Sequence, residues 1–326
     1  MNPHHQHQHF KQPLTHLRDF NNGIYCLDSG YLRTELDAIH FVVDSGRVAV
    51  IDTSTANSVP RVLEALNGLG LETDQVDYIV LTHVHLDHAG GAGALLNHCP
   101  NARLTVHPRG VKHMVDPSVL WESVCSVYGE EMALREYGRL SPVDPDRILS
   151  TGEGAQITLG SRTLSFWDAP GHARHHVFIH DSQSNGVFTG DTFGISYREL
   201  DTPDGCFIFV TCPPTQFEPD PLRNSIRRVI DAKPSAVYLT HYSQVTDVAG
   251  CGARLLSQVD DYVALAMAHR DTGEDRAQRI QSDLMAMLKK QARSMGVGIE
   301  DSELEEVLAL DVRLNADGLD YWLNRL

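Results

Sequence analysis

Apolar positions in the first hundred residues come in short blocks that switch between extended and helical spacing. Ala38-Ile-His-Phe-Val-Val and Arg47-Val-Ala-Val-Ile-Asp are rich in β-branched residues and flank a turn at Asp44-Ser45-Gly46, which predicts a hairpin. Gly23 to Leu27 reads as a strand before it. Between Val59 and Leu69 the residues Val62, Leu63 and Leu66 fall at helical spacing, and Gly68 and Gly70 close the segment. Val76-Asp-Tyr-Ile-Val-Leu-Thr is a nearly continuous apolar run of the kind found in strands covered on both faces, and it leads directly into His83. Gly90 to Asn97 reads as a short helix and Arg103 to His107 as the next strand.

The pattern then turns helical over about 108–148, an expected insertion with helices at 119–127 and 130–137 whose Met114, Trp121 and Tyr128 serve as a lid or as core. Strands return at 155–159, 163–168, 176–180 and 186–189, a helix at 224–232, and a buried strand from Ala236 that ends at His241. Beyond Arg254 the spacing is helical throughout, with helices expected at 254–269, 275–295, 302–310 and 319–326. Asp301-Ser302 followed by Glu305 resembles a capping box. These shifts divide the chain into a polar His-rich tail (1–19, expected to be disordered), a mixed domain (20–250) and a C-terminal helical region (251–326).

Composition narrows the partners. With 43 acidic against 27 basic residues the formal net charge is -16, which disfavours nucleic acid and anionic membranes, since phosphate binding draws on Lys and Arg. The six cysteines are scattered without a C-x-x-C pair and read as thiols of a reducing compartment. No apolar run is long enough to span a bilayer and the N-terminus lacks a signal-peptide core, so a soluble, cytoplasmic protein is expected. His4, His5, His7 and His9 alternate with Gln and Pro and read as a polar tail.

The densest chemistry lies at Thr82-His83-Val84-His85-Leu86-Asp87-His88-Ala89-Gly90. Imidazole and carboxylate are ligands for zinc, iron or manganese. A regular strand would send these side chains to opposite faces, so a loop entering a helix is needed to turn all of them to one point. Burying such a set without a cation would be costly. Single ligand-type residues follow other strands: His172 after Ala169-Pro170-Gly171, Asp191 after Thr189-Gly190, and His241 after Thr240. Alone each is weak; together with the first motif they make one set.

In order and spacing, over about residues 20 to 245, this set resembles the ligand pattern of the metallo-β-lactamase superfamily, on its glyoxalase II-like and lactonase-like branch. The resemblance implies an α+β fold, a four-layer αββα sandwich with the C-terminal helices appended. It implies that His83, His85 and His172 bind one metal ion, that Asp87, His88 and His241 bind a second, and that Asp191 bridges them. Asp52 matches an aspartate that orients a ligand from behind. The implied cofactors are two divalent ions, zinc first, with iron or manganese as alternatives. His88 stands where true β-lactamases commonly carry Arg or another residue, which points away from antibiotic hydrolysis.

The implied activity is hydrolysis of an ester, thioester or lactone in a small-molecule substrate, with Asp87 and Tyr197 as catalytic candidates and Arg174, His175 and Tyr242 as substrate-facing candidates. One rival is a persulfide dioxygenase-like oxidoreductase with a single iron at the equivalents of His83, His172 and Asp191. Another is a non-catalytic binding or regulatory protein that keeps the metal. Flavodiiron and nuclease readings are disfavoured by His85, by the acidic charge and by the lack of an inserted clamp domain between His172 and His241. A homodimer through the helical tail or through the apolar segment 205–215 is the expected assembly.

Overall fold

The computed structural model describes residues 16–326; the stretch holding His4, His5, His7 and His9 lies outside the described residues. Two sheets form its centre. The first has seven strands in chain order: β1 (Leu17–Asp19), β2 (Ile24–Asp28), β3 (Ala38–Asp44), β4 (Arg47–Ile51), β5 (Val76–Val80), β6 (Arg103–Val106) and β7 (Ile148–Ser150). Pairing is antiparallel from β1 to β4 and parallel from β4 to β7. The second has six strands, β8 (Gln156–Leu159), β9 (Arg162–Asp168), β10 (Val177–Asp181), β11 (Gly186–Gly190), β12 (Ala236–Leu239) and β13 (Ser243–Val245), with only β11 and β12 parallel.

The two-residue period of the strands sorts their side chains between two cores. On β4, Ala49 and Ile51 join Phe166, Ile179 and Phe188 between the sheets, while Val48 and Val50 face outward. That outer face is covered by α1 (Val59–Gly68) and, past the short α2 (Leu86–Ala89), by α3 (Ala92–His98). The expected insertion holds α4 (Val111–Val115), α5 (Ser118–Tyr128) and α6 (Glu130–Tyr137). Its Met114 is buried in the core of the first sheet, while Trp121 lines a surface cavity of about 390 Å³; the side chain of Tyr128 lies outside those described.

The outer face of the second sheet is covered by α7 (Pro219–Ala232), α8 (Val248–Ala268), α9 (Arg276–Ser294) and α10 (Asp301–Leu323), giving the four-layer α+β sandwich with helices appended. Among the described residues no helix is long and apolar enough to cross a membrane.

The C-terminal region departs from its expected pattern. The polar residues between 311 and 318 suggested two helices, yet α10 runs unbroken through them. Arg313 and Asp317 are exposed, as on any amphipathic helix, while Asn315 is an interior contact: its Nδ2 donates to Val210 O at 2.9 Å, and its Oδ1 accepts from Cys212 N at 2.5 Å. Gly318 admits the backbone beside it, since a Cβ there would lie 1.9 Å from Cys212 O. The capping box at Asp301 does not form. Glu300 is the N-cap without a side-chain cap bond, and Asp301 pairs with Arg293 at 2.5 Å and with Lys289 at 3.2 Å. At the other end, Leu17–Asp19, expected as part of a disordered tail, pairs with β2 as a strand.

Candidate metal centre

The C-terminal ends of the parallel strands converge at one edge of the sandwich. β4 delivers Asp52, β5 delivers the 82–90 loop, β11 delivers Asp191 and β12 delivers His241; His172 arrives from the end of β9. Tight backbone turns set the side chains. Asp52 sits at φ +55, a left-handed conformation uncommon for a residue with a Cβ. Gly190 takes φ +46, and a Cβ there would lie 2.5 Å from His176 Nε2.

Three ligand groups overlap here: His83, His85 and His172; His83, His88 and Asp191; and Asp87, His88 and His241, each with its donor atoms within 4.8 Å of one another. His85 Nδ1 lies 2.9 Å from His83 Nε2 and 3.1 Å from His172 Nε2. Asp191 stands between the groups, with Oδ2 3.5 Å from His172 Nε2, and Oδ1 3.2 Å from His88 Nε2 and 3.7 Å from His241 Nε2. Asp87 Oδ2 is 3.5 Å from His241 Nε2 and 3.8 Å from His88 Nε2. All seven residues expected to bind metal are therefore gathered at one place.

Contacts behind these residues choose the tautomers. Asp52 accepts from Thr82 N at 2.8 Å, Thr82 Oγ1 at 2.8 Å, Thr240 Oγ1 at 2.9 Å and His88 Nδ1 at 2.9 Å. Because the Thr82 hydroxyl spends its proton on Asp52, its oxygen accepts from His83 Nδ1 at 3.2 Å. The Thr211 hydroxyl likewise donates to Asp191 O at 3.2 Å and accepts from His172 Nδ1 at 2.7 Å. His241 Nδ1 donates to Leu36 O at 2.7 Å. In all four histidines the proton is thus held at Nδ1, and Nε2 faces the centre.

The donor set fits divalent ions. Burial pushes His83 well below its ordinary value, lowers His85 and takes His172 down to about 3, so this trio stays neutral with lone pairs available. Its close nitrogens repel unless a cation lies among them, since His85 Nδ1 can hydrogen bond to only one neighbour at a time. Burial opposes charge on His88 and His241 as well. Yet Asp191, Asp87 and Asp52 hold His88 well above its ordinary value, and Asp191 with Asp87 raises His241 to about 10. This half of the centre therefore demands positive charge. His88 Nε2 and Asp191 Oδ1 are buried without a hydrogen-bond partner, the state expected of atoms that bind an ion.

A family model described as the metallo-beta-lactamase superfamily matches residues 38–241. The chain belongs to the metallo-beta-lactamase superfamily. Its likeness to ST1585, a metallo-beta-lactamase fold-containing protein of Sulfurisphaera tokodaii, is 26% identity over 224 residues, 67% of this chain and 78% of that protein. The crystal structure of ST1585 matches with a TM-score of 0.63 at 23% identity, over 91% of this chain and 98% of that one. A hydroxyacylglutathione hydrolase of a Synechococcus species is 30% identical over 149 residues, 46% of this chain and 45% of that protein. The acyl-coenzyme A thioesterase MBLAC2 of Gallus gallus is 30% identical over 192 residues, 53% of this chain and 64% of that protein. The match thus spans less than two thirds of either named hydrolase.

The substrate-facing candidates of this superfamily member fare less uniformly. His175 lies at the centre, its ring stacked 6.1 Å from His83 and its Nδ1 3.4 Å from Val84 N. Arg174 is instead tied to Glu218 at 2.5 Å on the surface. Tyr242 is buried with Cys26 and Ala38, its hydroxyl 3.6 Å from Cys26 Sγ, which is a core position. Tyr197 is 3% exposed and donates to Asp311 Oδ2 at 3.0 Å, so its hydroxyl is already engaged.

Several contributors had no sequence signal. Thr211 lies in a Pro-rich apolar segment and Leu36 acts through its carbonyl. His176, expected in a strand, accepts from Asp191 N at 3.2 Å through Nε2. Thr82 and Thr240 could have been found, since each directly precedes a ligand-type histidine at a strand end.

Proposed function

We propose that the protein is a metallohydrolase that cleaves a thioester, ester or lactone, with His83, His85 and His172 holding one divalent ion and Asp87, His88 and His241 a second. The observation that carries this reading is the placement of Asp191, whose two carboxylate oxygens face the two groups separately. Zinc is the first choice of metal, with iron or manganese as alternatives. Bound ions of this kind lower the pKa of a water towards neutrality and polarise a carbonyl oxygen.

The chain's own residues supply position and protons. Asp52, Thr82 and Thr211 fix the imidazole rings. Asp87, with its side chain 30% exposed, is the carboxylate at the open side of the centre and the candidate for handling a proton at the leaving group. Thioesters are favoured among the substrates because both named hydrolases similar to this chain act, by their names, on acyl thioesters. Net acidity speaks against a polyanionic macromolecule as substrate.

The test is metal analysis per chain joined to a hydrolysis screen of acyl-glutathione and acyl-coenzyme A thioesters, aryl esters and lactones. About two metal equivalents with turnover lost in His88→Ala is the expected result. One iron per chain with no hydrolysis would replace the reading by the mononuclear oxidoreductase.

A further inference from the structure

Away from the metal centre, two nucleophilic side chains are held in contact. Cys206 Sγ and Cys251 Sγ lie 3.4 Å apart, although 45 positions separate them in the chain. Cys206 is half-buried and follows a tight turn closed by paired backbone bonds between Thr202 and Gly205, at 2.9 and 3.1 Å. Cys251 is buried in the first turn of α8, and Arg254, one turn further on, brings Nη2 to 3.0 Å from its sulfur.

We propose that Cys206 and Cys251 form a dithiol–disulfide site that is oxidised by a hydroperoxide, with Cys206 as the attacking thiol and Cys251 as the resolving one. Closing the bond requires the sulfurs to approach from their present contact to about 2.05 Å, a movement that a turn residue can share with a helix end. The asymmetry of the pair sets the order. Hydrogen bonds from Cys251 and Ser196, with Arg198 nearby, hold the Cys206 thiol down at about 6 against burial and Asp201. Cys251 is raised, and so are Cys26, Cys99, Cys125 and Cys212. A thiolate with access to solvent is the reactive form of cysteine, and Cys206 alone among the six meets both conditions.

The chemistry balances without further reactants. The Cys206 thiolate attacks one peroxide oxygen, the O–O bond breaks, and the departing hydroxide takes up a proton to leave as water (an alcohol from an organic hydroperoxide). Cys206 is then a sulfenic acid. The Cys251 sulfur, beside the Arg254 guanidinium, attacks Cys206 Sγ, the S–O bond breaks and water leaves with the Cys251 proton. Two thiols lose two electrons and one peroxide gains them.

The site borders the loop that serves the metal centre. Ser196, which hydrogen bonds to Cys206, donates its backbone N–H to His241 O at 2.6 Å, and its carbonyl accepts from Tyr242 N at 3.2 Å. A disulfide would fasten the segment behind His241 to the start of α8.

The experiment exposes the full chain, with its metals, to a small excess of hydrogen peroxide, quenches with catalase, and reads intact mass and a non-reducing peptide map. The expected product is lighter by two hydrogen atoms, links the peptides holding Cys206 and Cys251, and returns to the starting mass with dithiothreitol. In Cys251→Ser, Cys206 is expected to be trapped by dimedone as the sulfenic acid, and Cys206→Ser is expected to leave residue 251 unreacted. A disulfide between another pair, oxidation of the wild-type Cys206 to a sulfinate without cross-linking, or no loss of thiols would each overturn the proposal.

Discussion

The hydroxyl of Tyr197 donates to Asp311 Oδ2 at 3.0 Å, so a tyrosine from the loop after Asp191 meets a carboxylate from α10. The Arg33 guanidinium lies 4.3 Å from the centre of the same ring and pairs with Glu199 at 2.5 Å. Burial pushes the Asp311 carboxyl up to about 6, and this hydrogen bond partly offsets the rise. Tyr197→Phe removes the donor and leaves the carboxylate short of a partner. We expect a loss of about 1–3 kcal/mol in urea unfolding; a change within about 0.5 kcal/mol, as for an ordinary surface site, would show the bond to be unimportant.

Asp52 is buried behind the ligand-type histidines, and four donors end on its two oxygens. Asp52→Asn sets an amide NH₂ against donors that need acceptors. Metal affinity is expected to fall about 10–100-fold, read by competition with a chromogenic chelator. Unchanged affinity would mean that the imidazoles hold their orientation without it.

His40 gives the acid response a definite sign. Burial holds it down at about 4 against an ordinary 6.5, with Ser243 Oγ 3.2 Å from Nε2. The unfolded chain therefore takes up a proton that the folded protein refuses. The stability gained from a neutral His40 is complete above pH 6.5 and drains away as pH falls towards 4. Compared with His40→Gln in denaturant titrations, the wild type is expected to lose about 2 kcal/mol more between pH 7.5 and 5. Parallel pH profiles for the two proteins would contradict this.

Arg162 and Asp181 form an ion pair at 3.0 Å with side chains 2% and 0% exposed. Asp181→Asn leaves the guanidinium charged and buried without its counter-ion, and we expect about 3–5 kcal/mol of destabilisation by thermal or denaturant unfolding. Adding Arg162→Met removes the stranded charge and should recover part of the loss. A double variant less stable than the single one would show that the pair matters for shape instead of charge.

The central sheets were legible because their side chains obey the two-residue period, as Val48 to Ile51 do. The centre was legible because its chemistry is concentrated in one short loop and repeated at strand ends. What stayed hidden acts over long separations. Thr211 touches His172 across 39 positions and Asp311 meets Tyr197 across 114, and no local pattern marks either. In α10, Asn315 and Gly318 broke the apolar rhythm and suggested two helices, because a buried amide and a close backbone approach look polar and flexible on the page. Arg174 and Tyr242 looked like substrate contacts from their neighbours in the chain, but Glu218 and Cys26 claim them in space.

The segment 208–212 has side-chain amides where a strand would have a neighbouring backbone. Gln258 of α8 donates to Ile208 O at 3.0 Å and accepts from Val210 N at 3.0 Å, and Asn315 of α10 continues with Val210 O and Cys212 N. Thr211, in the middle of this stretch, steadies His172. The appended helices are thus not an exchangeable module. A chimera that transplants them from a relative, or a deletion that trims the chain back to the family core, would have to rewrite 208–212 as well, because the two parts share one set of backbone partners.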